Sequence, residues 1–287
     1  MHLPAVVKRL KDSCKHGDDM YFPDGRVTFV WKYTKWQWHA SFGPTVNIPE
    51  SEKITVIILN YKRPHNMQPI VRSVLRCSFV KKLIVCNNDP LSRIEEWISA
   101  SDKRVVLLNN SRNGGTIARF EIASKEDGTY FLAIDDDIFL YPEQIRTLFR
   151  HLLKDPSVPH GVYGQRLVGH DQFVDAIHGI EERIDILNRV YAFTKTHVVE
   201  LFRLLSVIGI QDKEWGDLTK GDDMVLSFTG ETMPICHDVG EILDCPSEGI
   251  PGIAVWKERD FVDYRRNLLT KLRQVRNRTS YFLGSKE

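Results

Sequence analysis

A regular alternation of short apolar runs with helix-like segments begins at Ile54 and limits the folds open to the chain. Ile54–Leu59, Lys82–Cys86 and Arg104–Leu108 have the length and composition of buried strands, and segments with helical spacing separate them. A fourth run, Tyr130–Ile134, follows a helix pattern that opens at Gly114-Gly115 and extends through Lys125. Strands that alternate with helices predict βαβ units. We therefore predict a mixed α/β fold with a mainly parallel central sheet flanked by helices.

Polar residues follow every predicted strand. In doubly wound sheets, ligands bind outside the carboxyl ends of the strands, so we expect these residues to line one crevice. They are Tyr61–Arg63, Asn87–Asn88, Asn110–Gly115 and Asp135–Asp137.

Three consecutive carboxylates, Asp135, Asp136 and Asp137, end the fourth strand. Adjacent acids at a buried strand end repel one another and resist desolvation unless a cation neutralises them. Oxygen ligands of this kind suit Mg²⁺ or Mn²⁺, which proteins hold with one or two carboxylates and substrate phosphates. A solvated acidic turn is the alternative, and the triplet by itself leaves both interpretations open.

Other candidate binding groups are two arginines, an asparagine and an acidic pair. The guanidinium groups of Arg63 and Arg119 can make planar, bidentate hydrogen bonds to phosphate or uracil. Asn87 or Asn88 suits a base or a ribose, although a turn role accounts for either residue equally well. Asp222 and Asp223 open an apolar helix, where one carboxylate would act on an acceptor hydroxyl or simply cap the helix.

Composition excludes several other classes of function. The formal net charge is +1, from 39 basic and 38 acidic residues, which argues against a nucleic-acid partner. The ten histidines form no HxH or HExxH motif and the five cysteines form no CxxC pair, so we expect no zinc site. We find no signal peptide and no apolar run of the ~18 residues that a membrane span needs. These features predict a cytoplasmic protein, unless the chain is an excised luminal domain.

The first 50 residues differ in character from the rest of the chain. Val27–His39 alternates aromatic with polar residues, which predicts a half-buried strand or hairpin. We therefore predict two parts, a β-rich N-terminal extension (residues 1–50) and the α/β domain (residues 51–287). Within the extension, Trp31, Trp36 and Trp38 would either stack on a sugar ring or pack against the protein.

Taken together, the motifs resemble those of the GT-A glycosyltransferases, which use nucleotide sugars. Asn113-Gly-Gly-Thr-Ile-Ala-Arg119-Phe precedes a strand that ends in Asp135–Asp137. More narrowly, residues 54 to 275 are similar to the exostosin-like hexosaminyltransferases. The matching motifs are Asn60-Tyr-Lys-Arg63, Asn87-Asn88, Arg119-Phe120, Asp222-Asp-Met224, and Trp256 followed by Arg265. The chain departs from that pattern at Asn60, where the family has Thr, and at Gly221, where it has Cys.

The resemblance implies a GT-A, metal-dependent glycosyltransferase that moves a sugar from a UDP-sugar to a glycan or other hydroxyl acceptor, with retention of configuration. The implied metal ligand is Asp137, for Mn²⁺ or Mg²⁺. Asp223 would be the catalytic carboxylate, and Arg265 would stabilise the departing diphosphate. The residues implied to hold the nucleotide sugar are Leu59 (backbone), Arg63, Asn88, Asn113, Arg119, Asp135, Asp136 and Asp222.

Three alternatives remain open at this point. An inverting GT-A enzyme would use Asp222 or Asp223 as its general base. A nucleotidyltransferase shares the doubly wound sheet, but it has a Gly-rich loop where this chain has Tyr61–Pro64. A non-catalytic sugar-binding module is the third, and the aromatic extension would serve it. The sequence does not specify the donor sugar, the acceptor or the oligomeric state.

Overall fold

The computed structural model describes residues 26–99, 101–169, 172–174, 177–211, 217–245 and 252–284. These residues form two compact units. The first comprises residues up to 113, 132–150 and 239–254, and the second comprises 114–131, 151–238 and 255 onward. The part of the predicted extension that covers residues 1–25 lies outside the described residues. The predicted division at residue 50 stays a prediction.

Seven helices and twelve strands lie within the described residues. The helices are α1 (Arg26–Phe42), α2 (Pro64–Leu75), α3 (Ala118–Lys125), α4 (Pro142–Lys154), α5 (Lys195–Val207), α6 (Asp222–Ser227) and α7 (Phe261–Gly284). The strands are β1 (Ile54–Asn60), β2 (Val80–Asn87), β3 (Val105–Asn109), β4 (Tyr130–Asp135), β5 (Ile138–Phe139), β6 (His160–Gln165), β7 (Leu167–Val168), β8 (Gln172–Phe173), β9 (Glu182–Arg183), β10 (Ile186–Thr194), β11 (Ile235–Cys236) and β12 (Leu243–Asp244).

The first unit contains the predicted parallel sheet, with strand order β3-β2-β1-β4. β1 pairs in parallel with β2, and β2 pairs in parallel with β3. All seven residues of β1 are buried, as expected for a strand covered on both faces. A small antiparallel pair of β5 and β12 follows the acidic triplet. The mixed α/β fold class predicted from the sequence is therefore confirmed.

The predicted β-rich extension is wrong for the aromatic segment, which forms helix α1. Phe29, Tyr33, Trp36 and Ala40 are buried, and their spacing of four, three and four residues places them on one helical face. The large residues at positions 27, 29, 31 and 33 also fit one face of a strand, which is why the pattern favours a strand. Trp36 is fully buried and its indole Nε1 donates to Leu140 O at 2.9 Å, so it packs within the first unit.

The second unit has a mixed sheet, with strand order β10-β6-β11-β9. β10 is antiparallel to β6, β11 is parallel to β6, and β9 is antiparallel to β11. The sequence predicts one strand over Gly161–Val168, whereas the structure divides it into β6 and β7, and β7 pairs with β8. Gly161 lies where β6 approaches β10, since a Cβ there would come within 2.7 Å of the Leu187 side chain.

The sequence predicts helices in the second unit, α3 and α7 among them. α3 begins at Ala118 rather than at Gly114-Gly115, because Gly115 has φ +71°, a left-handed conformation that a helix cannot include. The sequence also predicts a basic helix from Arg259 to Arg278. The structure forms α7 there, and its residues Leu268, Leu269 and Leu272 are buried. Among the helices in the described ranges, none has the length and apolarity to cross a bilayer.

Candidate functional site

The acidic triplet lies where β4 ends in the first unit. Asp135 is the last residue of β4 and is half-buried. Asp136 and Asp137 follow it and are only 5% and 6% exposed. The triplet is therefore not a solvated turn, and its two later carboxylates are removed from bulk water.

Asp136 joins the end of β4 to the segment that follows β1. Its Oδ2 accepts from the backbone N–H of Tyr61 at 2.7 Å, and its Oδ1 accepts from Arg63 Nη1 at 2.7 Å. The amide of Asn66, in the first turn of α2, donates to the backbone oxygen of Asp136 at 2.9 Å. Asp136 is therefore held by three groups that the first βα connection supplies.

Asp137 shares the same guanidinium. Its Oδ2 lies 3.2 Å from Arg63 Nη2, and its backbone oxygen accepts from Cys245 N at 2.7 Å. Arg63 thus bridges two consecutive carboxylates with its two terminal nitrogens, in the fork geometry that suits arginine.

The electrostatics of this cluster favour an additional cation. Burial raises the pKa of Asp136 to about 6; Arg63 opposes the rise, and Asp137 and Asp135 add to it. Burial lowers the pKa of Arg63, but Asp136 and Asp137 outweigh that effect and raise it above its usual range. Buried carboxylate oxygens that repel one another are the donors that Mg²⁺ and Mn²⁺ prefer. The residues present therefore fit a divalent metal ion.

The two consecutive asparagines at the end of β2, Asn87 and Asn88, have different roles. Asn87 is fully buried, accepts from Asn60 Nδ2 at 2.7 Å and donates to Asn109 Oδ1 at 3.2 Å, so it ties three strand ends together. Asn88 comes after the strand end, where its Oδ1 accepts from Asn110 Nδ2 at 2.7 Å. Its backbone N–H donates to Asn60 O at 2.8 Å. Asn87 is a structural residue, and Asn88 is the better candidate for a ligand contact.

The connection after β1 has an unusual backbone conformation. Lys62 adopts φ +61°, which is uncommon for a residue with a side chain, and its Nζ donates to Gly252 O at 3.2 Å. Strain of this kind is concentrated at functional sites.

Leu59 is buried near the end of β1, whereas Asn113 is exposed in the loop after β3. The nucleotide roles of both residues stay predictions.

In the second unit, Asp223 and Arg265 form a buried ion pair. Arg265 Nη1 lies 2.8 Å from each carboxylate oxygen of Asp223. Arg265 Nη2 also donates to Gln165 Oε1 at 2.8 Å, and the guanidinium lies 5.2 Å from the ring centroids of Phe173 and Phe261. Both charged residues are at most 8% exposed. The pair predicted to be catalytic is therefore brought into contact.

Asp222 makes a longer contact with Arg119, whose Nε lies 3.7 Å from Asp222 Oδ2. Arg119 is buried, and it also lies 5.3 Å from the Tyr191 ring centroid. Neither acid acts as the N-cap of α6, because Gly221 occupies that position. A Cβ on Gly221 would come within 2.4 Å of the Leu268 side chain, so glycine lets α6 and α7 approach. This contact accounts for the small residue at 221.

The structure also gives supporting roles to Tyr61 and Asn110, which the sequence places in the crevice, and to Asn66 and Gln165, which it does not single out. The Tyr61 N–H, Asn66 and Asn110 each hold a predicted site residue, and Gln165 holds Arg265. For Asn66 and Asn110, the sequence signal is that each lies within a few residues of a strand end. Asparagine is equally common there as an ordinary turn former, so the signal is weak.

A parallel α/β unit with carboxylates and amides after its strands belongs to the class of proteins that bind ligands at the carboxyl edge of the sheet. Residues 55–202, more than half of the chain, match the model of glycosyl transferase family 2. The chain belongs to this family, and the predicted enzyme class, a glycosyltransferase, is confirmed. The matched segment contains Asp135–Asp137 but ends before Asp222. The exostosin-like resemblance is narrower than this assignment and stays a prediction.

Two solved structures are similar at low sequence identity. A crystal structure of GalNAc-T7 with UDP, GalNAc and Mn2+ has a TM-score of 0.47 and 10% identity, over 66% of this chain and 43% of that one. This chain thus spans less than half the length of the GalNAc-T7 chain. CMP:2-keto-3-deoxy-manno-octonic acid synthetase complexed with CTP has a TM-score of 0.46 and 12% identity, over 77% of this chain and 99% of that one. A comparison with curated protein sequences finds no significant match.

Proposed function

We propose that the chain transfers a sugar from a UDP-sugar to a hydroxyl group of a glycan or other acceptor, with Mn²⁺ or Mg²⁺ as cofactor. The observation that carries this proposal is the buried pair Asp136 and Asp137 at the end of β4, held by Arg63 within the family-matched segment. Buried carboxylates at the end of a strand suit a metal ion that also binds substrate phosphates.

The first unit is proposed to hold the nucleotide. We assign the metal to Asp137, with Asp135 and Asp136 as donor-binding residues. A bound divalent ion would neutralise charge on the diphosphate that departs. Both carboxylate oxygens of Asp136 accept hydrogen bonds, one from Tyr61 N–H and one from Arg63. These bonds position Asp136, and we therefore take Asp137 as the better metal ligand. Further nucleotide contacts are assigned to Leu59 (backbone), Arg63, Asn88 and Asn113.

The second unit is proposed to supply the catalytic carboxylate. Asp223 has this role, and Arg265 both orients it and stabilises negative charge on the leaving group. Arg119 and Asp222 are proposed to bind the nucleotide sugar. Because Arg265 is fixed by Asp223, Gln165 and the Lys220 carbonyl, its guanidinium is preorganised.

The stereochemistry of transfer separates two mechanisms. We propose retention of configuration, as the exostosin-like resemblance implies. The alternative is inversion, with Asp222 or Asp223 as general base for the acceptor hydroxyl, and two adjacent buried carboxylates at the start of α6 support it. Proton NMR of the first product formed reports its anomeric configuration and decides between the two mechanisms.

The test of activity is incubation with a panel of nucleotide sugars and Mn²⁺, with release of nucleoside diphosphate as the readout. We expect a UDP-sugar to be turned over, and Asp137→Asn to reduce turnover at least about 100-fold. Asp263→Asn makes the same chemical change at an exposed position on α7 and is the matched control. Turnover that survives Asp137→Asn, or an absence of nucleotide binding with any divalent metal, would overturn the proposal.

A further inference from the structure

Two histidines and a glutamate from three different elements converge in the second unit. His151 is in the last turn of α4, Glu181 immediately precedes β9, and His237 immediately follows β11. One potential ligand atom from each residue lies within 4.8 Å of the other two. None of these residues takes part in the proposed sugar transfer.

Hydrogen bonds fix the tautomers of the neighbouring histidines. His160 Nε2 lies 2.6 Å from the backbone oxygen of Asp155, which can only accept, so this nitrogen carries a hydrogen. The ring of a neutral His160 then has a lone pair on Nδ1. His237 Nε2 lies 2.7 Å from that atom and must donate to it.

The remaining nitrogen of His237 therefore faces a carboxylate with its own lone pair. His237 Nδ1 lies 2.6 Å from Glu181 Oε1. Two electron-rich atoms at this distance need a cation between or beside them, either a proton or a metal ion. The ring of His151 stacks on that of His237, with centroids 3.8 Å apart, so the third donor residue lies beside this pair of atoms.

The donor set has the composition of a transition-metal site. Two imidazoles and one carboxylate are a recurrent set of three protein ligands for Zn²⁺, with a fourth position left for water or another ligand. Metal ligands are usually oriented by hydrogen bonds from surrounding groups, and two of the three donors have such bonds. His160 fixes the tautomer of His237. The Asp238 N–H donates to Glu181 Oε2 at 3.2 Å. Glu181 is exposed and His151 half-buried, so both can adjust around the buried His237.

We propose that His151, Glu181 and His237 form a Zn²⁺ site that joins the end of α4 to the edge of the sheet at β9 and β11. Its nitrogen ligands distinguish it from the oxygen-only triplet Asp135–Asp137, which suits Mn²⁺ or Mg²⁺. Because the three ligands come from separate segments, bound Zn²⁺ links them and stabilises the folded second unit.

Chelator-treated protein titrated with Zn²⁺ alone tests the proposal by isothermal calorimetry, with Co²⁺ absorption spectra as a report on coordination. We expect one Zn²⁺ per chain, a higher unfolding temperature with Zn²⁺, and the visible bands of four-coordinate Co²⁺. Glu181→Gln should weaken binding at least about tenfold, since loss of even an outer-shell partner has an effect of that size. His151→Ala should weaken it as well, and both positions are accessible enough for the variants to fold.

Glu182→Gln is the matched control, because Glu182 is the next residue and its Oε1 instead accepts from Arg166 Nε at 2.9 Å. This variant should bind Zn²⁺ as the wild type does. Equal Zn²⁺ affinity in wild type and Glu181→Gln would overturn the proposal. So would an absence of Zn²⁺ binding, in which case nitrogen-15 NMR should find His237 protonated on both nitrogens. None of these readouts depends on sugar transfer.

Discussion

Arg265 and Asp223 form a buried ion pair in the second unit, in which a single guanidinium nitrogen, Nη1, lies 2.8 Å from each carboxylate oxygen. A buried pair of this kind contributes less to net stability than its geometry suggests, since both charges lose hydration. Removing one partner leaves an uncompensated buried charge, and that loss is large.

We expect Arg265→Ala to lower the free energy of unfolding by about 3–5 kcal/mol in urea denaturation. Adding Asp223→Asn should recover part of that loss, because the unpaired charge is then gone. The pair of Arg203, which is exposed, and Glu200, which is half-buried, provides the control, since Arg203→Ala should change stability by less than about 1 kcal/mol. Equal effects at the two sites would contradict a buried charge pair.

Substitutions of Asp136 and Asp137 should affect different properties, stability for Asp136 and metal affinity for Asp137. Asp136→Asn weakens the bonds to Tyr61 and Arg63, so we expect a loss of about 2–4 kcal/mol in unfolding free energy. Asp137→Asn should instead lower affinity for Mn²⁺, measured by calorimetry with UDP present, with a smaller effect on stability. The assignment of Asp137 as the metal ligand would be wrong if Asp136→Asn alone abolished Mn²⁺ binding in a folded protein.

Acidification should destabilise the second unit through His197. Its Nδ1 accepts from the Thr194 N–H at 3.1 Å in the cap of α5, and burial lowers its pKa to about 4. Between pH 4 and the unfolded pKa of about 6.5 the unfolded state binds more protons, so stability falls as the pH falls through this window.

The expected loss from this one histidine is about 3 kcal/mol between pH 7 and pH 4. His197→Asn keeps an acceptor near the position of Nδ1 but does not titrate, so its stability should fall less steeply. Urea denaturation at several pH values measures both slopes. Identical slopes in variant and wild type would exclude His197 as the source.

Gly221→Ala should disturb the approach of α6 to α7. The added methyl group would meet Leu268 at 2.4 Å, and we expect a loss of about 1–3 kcal/mol in unfolding free energy. Leu268→Ala creates room but also a cavity, so the double variant should be less destabilised than the sum of the two single variants. Strict additivity would show that the contact does not limit the residue at 221.

The sequence is most informative where burial is continuous. β1, residues 83–87 of β2 and residues 131–134 of β4 are buried without interruption, and mostly apolar runs of this kind give a clear signal for parallel strands. The acidic triplet is also easily recognised in the sequence, because it comes at the end of a continuous apolar run. Its internal contacts are not predictable from sequence, because Tyr61 and Arg63 reach Asp136 only through the tertiary fold.

The wrong or missing predictions have equally specific causes. In α1, aromatic residues satisfy both a two-residue and a helical period, and only burial shows that Tyr33 and Trp36 share a face. The histidine and glutamate cluster has no local motif, since Glu181 and His237 are 56 residues apart. Sequence rules for zinc sites depend on short spacings, so they do not detect a cluster that only the fold assembles.

The packing of α1 has a practical consequence for dissecting this protein. Tyr33 and Trp36 lie 5.0 and 4.8 Å from the Phe139 ring centroid, directly beyond the acidic triplet. A shortened polypeptide cut at the limits of the family match would leave Phe139 uncovered and expose apolar surface, which favours aggregation during expression. Recombinant fragments intended for crystallisation or activity assays should therefore begin before Arg26.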